Sequence, residues 1–421
     1  ERTMKKTTLT LFAILMLLNV SVKSQAACKE IIGYYASWLM YQRGGAVVPE
    51  SIDYSKYSII NFSFFAPDEN GNIAGTDPWA DSLLLRGRIN WGKPQPAYFP
   101  NTSLIDFAHL WGVKVMVSIG GWTLSDNFPE IASDSVKTAR FASECVRVIK
   151  AYQFDGIDID WEYPCYEEHS GRQETDREGF TFLMRSIRDS IDAYGKKNDQ
   201  EYLLTAAFGA QDIRMQCIDY KEVTTFMDYV NMMTYDMNGV WNEEANHNSP
   251  LYDPEYGPAQ SLNETHRLLT EKYGIHPSKI NLGVAFYGRT LRGFKEEPKL
   301  FGKHKGKTDD IRFSLHEGSP TYFQIMLEKH DFKEYWDDVA KVPYLLNDKD
   351  SSFVSYDDPK SIRLKAQFIM DKKCAGAIIW DLTNDYIEKK PGTLLISGTP
   401  LVDQLVDVLQ PCSRPRIKKI Y

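Results

Sequence analysis

The sequence predicts an α/β fold, a closed (β/α)8 or TIM barrel, with a small α+β unit inserted between its seventh and eighth strands. Three observations predict it. Eight short runs rich in β-branched and aromatic residues recur along the chain. Amphipathic stretches separate most of them, with apolar residues at three- and four-residue steps, the period of a helix buried on one face. The strand runs themselves are almost continuously apolar, as parallel strands covered by helices on both sides should be. Eight such units favour a closed barrel over an open doubly wound sheet.

The runs follow in order. Glu30–Ala36 gathers two isoleucines and two tyrosines, and Tyr57–Phe65 and Val113–Ile119 come next. Between the second and third lie residues 66–112, too long for a simple crossover. The helical stretch Ser135–Ala151 precedes the fourth run, Gly156–Asp160, and Thr175–Ala193 precedes the fifth, Tyr202–Phe208. Tyr229–Thr234 is the sixth, the helical Leu262–Tyr273 follows, and Ile280–Phe286 is the seventh. Residues 290–359 then hold helix-like and strand-like pieces of their own, Pro320–Lys329 and Val342–Asn347, enough for an inserted subdomain before the eighth run, Ala375–Trp380. One catalytic domain is expected over residues 27–412, with a short basic tail at 413–421.

Composition narrows the class. With 421 residues, 43% hydrophobic and 25% charged, the chain can bury a large core, which excludes disorder. A net charge of −8 argues against nucleic acid as a partner, because phosphate contacts need clustered cations. The nine tryptophans and 13% aromatic content fit either core packing or stacking on flat ligands. The eight histidines show no HExxH spacing, so no metal and no cofactor are expected. The acidic pairs at 309–310 and 337–338 read as solvated faces.

Residues 1–26 read as a secretory signal: Met4-Lys5-Lys6, an apolar stretch from Leu9 to Val20, and small residues at Ser24 and Ala26. The apolar stretch falls short of the ~20 residues that span a bilayer. A secreted, monomeric protein without membrane attachment is the expectation. Residues 1–26 hold four positive charges and one negative, so their removal leaves about −11. Export permits disulfides, and Cys165 and Cys217 each follow a strand in loops expected on one face, which makes them the favoured pair. Asn61, Asn101 and Asn263 head N-x-Ser/Thr triplets, but Asn61 lies inside a strand run.

The sharpest chemical feature is Asp155-Gly156-Ile157-Asp158-Ile159-Asp160-Trp161-Glu162. Side chains of a strand alternate with period two. Asp158, Asp160 and Glu162 therefore share one face, which in a barrel is the interior, while Ile157, Ile159 and Trp161 pack outward. Three inward acids repel one another and lose hydration, so they must share protons and hydrogen bonds. Such crowding raises the pKa of one carboxyl toward general-acid work near neutrality. A calcium loop also spaces acids by two, but it needs turn residues where this chain has Ile and Trp. Glu162 comes last, at the carboxyl end of its strand, where barrel enzymes place their chemistry. Asp155 breaks the alternation and reads as structural. Trp38, Trp122, Trp241 and Trp380 fall at or just beyond strand C-termini, and their shared barrel end favours a cleft over core.

Asp155-x-x-Asp158-x-Asp160-x-Glu162 resembles the signature of the family 18 glycoside hydrolases, the chitinases. Ser118-Ile119-Gly120-Gly121-Trp122, Met233-Thr234-Tyr235-Asp236, Gly283 to Arg289, Gly376 to Trp380 and His247 to Tyr252 are similar to further motifs of that family. The resemblance runs from about Ile31 to Gln410, and the 290–359 insertion matches one branch. It implies retaining, substrate-assisted cleavage of β-1,4 bonds in chitin and chito-oligosaccharides, with no protein nucleophile. Glu162 would be the acid and base. Asp160 would hold the sugar acetamido N–H, Asp158 would share a proton with Asp160, and Tyr235 would hydrogen-bond the acetamido group. Tyr34, Phe64, Met233, Asp236, Tyr287, Arg289 and the four tryptophans would line the sugar subsites, with Trp380 as the floor at the cleavage point. A non-catalytic chitin-binding lectin is disfavoured because the acid is present. A hydrolase of another N-acetylglucosamine glycan fits the insertion and the tryptophans less well.

Overall fold

A computed structural model describes residues 28–168, 171–172 and 175–410. The expected signal sequence at 1–26, Cys412 and the basic tail at 413–421 lie outside the described residues. In chain order the strands are β1 Glu30–Ala36, β2 Ile59–Pro67, β3 Ile73–Gly75, β4 Lys114–Gly120, β5 Gly156–Asp160, β6 Leu203–Gly209, β7 Tyr229–Met233 and β8 Ile280–Ala285. Then come β9 Arg289–Phe294, β10 His304–Lys307, β11 Lys333–Asp337, β12 Val342–Asn347, β13 Ser352–Ser355 and β14 Gly376–Trp380.

The main sheet runs β1-β14-β8-β7-β6-β5-β4-β2, and a β1–β2 pairing closes it. Every one of these eight pairings is parallel. The expected (β/α)8 barrel is therefore the fold. The helices Ser135–Tyr152 and Asp176–Asn198 cross over on the outside, the first capped by Asp134, whose carboxylate accepts from Val136 N–H and Lys137 N–H.

Strand parity divides the core. Ile157, Ile159, Trp161, Val115, Val117, Leu204 and Val230 belong to one large cluster with the outer helices. Ile32, Tyr34, Met116, Met233, Tyr235 and Ile378 form a smaller cluster inside the barrel. Trp161 stacks on Phe128 at 5.4 Å and lies 6.1 Å from Phe180 of the following helix. Packing that ring outward is what commits Asp158, Asp160 and Glu162 to the other face.

The insertion is a five-stranded antiparallel sheet, β10-β9-β13-β12-β11, with the helix Tyr322–Glu328. Leu291, Phe294, Leu346 and Phe353 form its own apolar cluster together with Ala245 from the loop after β7. It is tied to the barrel by His247, whose Nε2 lies 2.9 Å from Asp337 Oδ2. Farther along, Lys365 Nζ meets Asp357 Oδ2 at 2.6 Å and Ser249 Oγ at 2.9 Å. Burial pushes the Asp357 carboxyl up and the Lys365 amine down, and their mutual contact opposes both shifts.

The expectation of two solvated acidic pairs is corrected. Asp310 and Asp338 are exposed, but Asp309 is buried and accepts from Ser352 Oγ at 2.7 Å, with the Arg292 guanidinium at 3.5 Å. Asp337 is largely covered and caps its turn by accepting from Val339 N–H and Ala340 N–H. A run of like charges in sequence does not reveal which member the chain turns inward. No helix among the described residues is long and apolar enough to cross a membrane.

Candidate active site

β5 ends at Asp160, and its carboxyl end opens into the space above the barrel. Asp158 is fully buried there and receives hydrogen bonds from three other strands and β1. Tyr34 Oη and Ser118 Oγ each donate to its Oδ2 at 2.8 Å, while Thr205 Oγ1 and Asn231 Nδ2 donate to Oδ1. Asn281 Nδ2 in turn donates to Asn231 Oδ1 at 2.9 Å and fixes the orientation of that amide. Burial raises the Asp158 pKa, and the four donors oppose it by stabilising the carboxylate.

Asp160 has the opposite environment. It is buried, and its Oδ1 has no hydrogen-bond partner within the protein. Desolvation first, then the charges of Glu162 and Asp158, push its pKa well up. The four donors at Asp158 favour its charged form, a support that Asp160 Oδ1 lacks.

Glu162 is half-buried at the strand mouth. Desolvation, reinforced by the negative charge of Asp236, raises its pKa to about 7, against hydrogen bonds from the Tyr163 side chain and the Trp122 backbone N–H. A carboxyl tuned to neutrality at the mouth of a cleft is equipped to donate a proton and take it back. If it acts as the acid, kcat/KM should be highest below about pH 7 and fall tenfold per unit above it, as the folded protein loses that proton. A pH–rate profile flat from pH 6 to 9 would contradict this assignment.

Tyr235 stands two residues beyond β7, buried, and senses the charges of Asp160, Asp236, Glu162 and Asp158. A Cβ on Gly283 would lie 2.7 Å from its ring, so the motif glycine of β8 is required for this tyrosine to fit. Asp236 has φ +56°, and its carboxylate is held by two side chains. Tyr287 Oη donates to its Oδ1 at 2.6 Å, and Arg289 Nε and Nη2 bond its two oxygens at 2.7 Å each. Arg289 also faces the Trp241 ring at 5.2 Å and donates to Ser319 Oγ at 2.8 Å. The bidentate ion pair therefore ties the exit of the sixth barrel strand, β7, to the insertion.

The aromatic residues are split by exposure. Trp380 stacks on Phe64 at 5.7 Å and lies 5.8 Å from Tyr34 and 6.4 Å from Trp38. This aromatic wall rises beside the buried acids, and Met233 sits in the same inner cluster as Tyr34, Tyr235 and Trp380. Trp38, Trp122 and Trp241 are 41%, 51% and 54% exposed, which separates them from the core tryptophan Trp161 at 1%. Trp122 leans toward Tyr163 and Tyr166, at 6.4 Å from each. Cys165 and Cys217 are disulfide-bonded with Cα atoms 6.0 Å apart, which joins the loops after β5 and β6. Asp155 lies outside the cluster: it accepts from Val115 N–H at 2.7 Å and contacts His109 Nε2 at 2.8 Å. No group of acids, histidines and cysteines suited to a metal ion occurs among the described residues.

Sequence reasoning missed several members. Thr205, Asn231 and Asn281 complete the surroundings of Asp158, and Ser125 and Tyr163 hold Glu162. A signal existed for the first three: polar residues at inward parity within otherwise apolar strands. Asn61 belongs to this set as well, fully buried with neither amide atom partnered inside the protein. That burial removes it as a glycan acceptor in the folded chain.

Comparison with known proteins accords with this geometry. The sequence matches the family described as Glycosyl hydrolases family 18 over residues 30–385. It is 31% identical to Chitinase A1 of Niallia circulans over 90% of this chain and 61% of that protein. It is 30% identical to Endochitinase 1 of Metarhizium robertsii, over 84% of this chain and 80% of that one. The chain thus spans less than two thirds of the length of the Niallia relative. Among solved structures, Chitinase ChiA74 from Bacillus thuringiensis superposes with a TM-score of 0.80 at 28% identity, covering 93% of this chain and 71% of the other. With a matched segment that spans the barrel from its first strand to the loop beyond its eighth, the chain belongs to glycosyl hydrolase family 18.

Proposed function

We propose that the protein is a chitinase, hydrolysing β-1,4 bonds between N-acetylglucosamine units by a retaining, substrate-assisted route. The observation that supports it most is the division of environments among three acids in one run: Asp158 is met by four hydrogen-bond donors, Asp160 has no partner at Oδ1 and is pushed well up, and Glu162 is raised to about 7. Glu162 donates its proton to the glycosidic oxygen as that bond breaks. The acetamido oxygen of the same sugar bonds to its anomeric carbon and forms a cyclic oxazolinium as the leaving sugar departs, so no protein nucleophile is needed. Asp160 Oδ1, unpartnered in the protein, accepts the acetamido N–H, and passage of its proton to Asp158 leaves a carboxylate beside the cation. Tyr235 orients the acetamido group. Glu162, now ionised, then draws a proton from water as the water opens the oxazolinium with net retention.

Defined chito-oligosaccharides test the proposal. Mass spectrometry should find shorter N-acetylglucosamine oligomers, and proton NMR at early times should find the β-anomer. Absence of cleavage, or an initial α-anomer, would refute it.

Trp380 supplies the hydrophobic floor for the sugar whose bond is cut. A sugar's C–H face on an indole gains dispersion and apolar contact at little ordering cost. Trp380→Ala is expected to weaken oligosaccharide binding at least tenfold, or ~1.4 kcal/mol. Calorimetry with an inactive background variant measures this, and an unchanged Kd would place the ring in the core.

A further inference from the structure

The loop after β4 makes two separate connections to Glu162, and one buried hydroxyl holds them both. Ser125 is fully buried. Its Oγ accepts from Glu162 N–H at 3.0 Å and donates to Gly121 O at 2.9 Å, with Asp160 O at 3.2 Å. The hydroxyl has a single proton, and Gly121 O, which also accepts from Leu124 N–H at 3.1 Å, is the nearer of its two acceptors. Between these anchors lies Trp122, whose backbone N–H donates to the Glu162 carboxyl. Gly120 and Gly121 make the approach possible. A Cβ on Gly120 would fall 2.2 Å from Asp160 O, and one on Gly121 would fall 2.8 Å from the Phe64 ring.

We propose that Ser125 is a positioning residue for the reaction, pinning the Gly121–Ser125 loop to the catalytic strand so that Glu162 is fixed at its backbone and its carboxyl together. This role rests on the assignment of Glu162 as the acid. The Glu162 carboxyl is held by the donors around it, the Tyr163 side chain and the Trp122 backbone N–H. Without the Ser125 hydroxyl, Glu162 N–H loses this acceptor, and the loop that presents Trp122 N–H loses one of its ties to the catalytic strand while keeping that from Gly121 N–H to Asp160 O. Misplacement of a catalytic group by about 1 Å is enough to cost up to a hundredfold in rate. The charged and titratable groups around Glu162 stay where they are: Asp160 beside it in the chain, Asp236 from the loop after β7 with Arg289 of β9, Tyr235 and Tyr163. Loss of Trp122 N–H removes a donor that favours the carboxylate, so the acid should ionise at higher pH.

Ser125→Ala removes one oxygen and adds no bulk. The expected result is a kcat lowered roughly ten- to hundredfold, a KM within about twofold of the parent, and a basic limb of the pH–rate profile moved upward, with Ser125→Thr recovering part of the rate. A parental kcat and an unmoved limb in Ser125→Ala would overturn the proposal. Two measurements do not depend on turnover. Carbon-13 NMR titration of the Glu162 carboxyl should show the same upward movement in Ser125→Ala. In the parent protein, the Glu162 amide should be among the slow-exchanging hydrogens, and rapid exchange there would also overturn it. If the parent cleaves no chito-oligosaccharide, the functional assignment fails, and the titration and exchange data still decide what Ser125 holds.

Discussion

Glu162→Gln is expected to lower kcat on chito-oligosaccharides by about 10³-fold or more while oligosaccharide affinity stays within a few-fold of the parent. A positioned general acid accounts for roughly 10²–10⁴ in rate, and here the same side chain serves again as the base. The amide keeps the shape and accepts the Trp122 N–H and Tyr163 bonds, so the loss is specific to proton transfer. Burst-free single-turnover assays and calorimetry separate the two effects, and retention of a tenth of the parental kcat would remove Glu162 from its role. A stability signature accompanies the substitution. The Glu162 pKa rises from 4.5 to about 7 on folding. Between those values the folded chain binds more protons than the unfolded one, so this group's contribution to stability falls as pH rises through that window. Above pH 7 the buried charge costs up to about 3 kcal/mol. Glu162→Gln should therefore unfold at pH 8 no lower in temperature than the parent, and a Tm well below it would mean the carboxylate is stabilised by contacts rather than strained by burial.

Asp160→Asn is expected to lower kcat by roughly 10²–10³-fold with a smaller change in KM, because the charge it removes is needed when the cation forms. In the resting protein Asp160 is surrounded by two other acids, and one of its oxygens has no partner. Asparagine can still accept an acetamido N–H, so ground-state binding survives. What it cannot do is pass a proton to Asp158 and become negative beside an oxazolinium. Stopped assays at saturating substrate separate kcat from KM. A variant with halved affinity and full kcat would assign Asp160 to binding alone. Because Asp158, Asp160 and Glu162 act as a unit, the double variant should lose little more than Glu162→Gln by itself.

The catalytic strand was legible because its code is local. Alternation over Ile157 to Glu162 places three acids on one face and Ile, Ile and Trp on the other, whatever the rest of the chain does. The eight strand runs were legible for the same reason: parallel strands covered on both sides are apolar throughout, and helices between them repeat every three to four residues. The acidic pairs at 309–310 and 337–338 show where local reading ends. Asp309 is buried against Ser352 and Asp337 against His247, partners 43 and 90 residues away in sequence.

The barrel, the acid ladder and the resemblance to a glycosidase family are written in consecutive residues, because periodicity and parity are local properties. Which of the three acids receives hydrogen-bond donors depends on barrel closure. Asp158 meets Tyr34, Ser118, Thr205 and Asn231 from four strands, whereas Asp160, two residues on, finds no donor for Oδ1. Likewise, the tertiary structure separated Trp161 in the core from Trp38, Trp122 and Trp241 at the rim, and brought Ser125 beneath Glu162. A pKa is set by the number of donors and charges within a few ångströms, and closing a barrel brings those groups together from strands that sequence order keeps far apart.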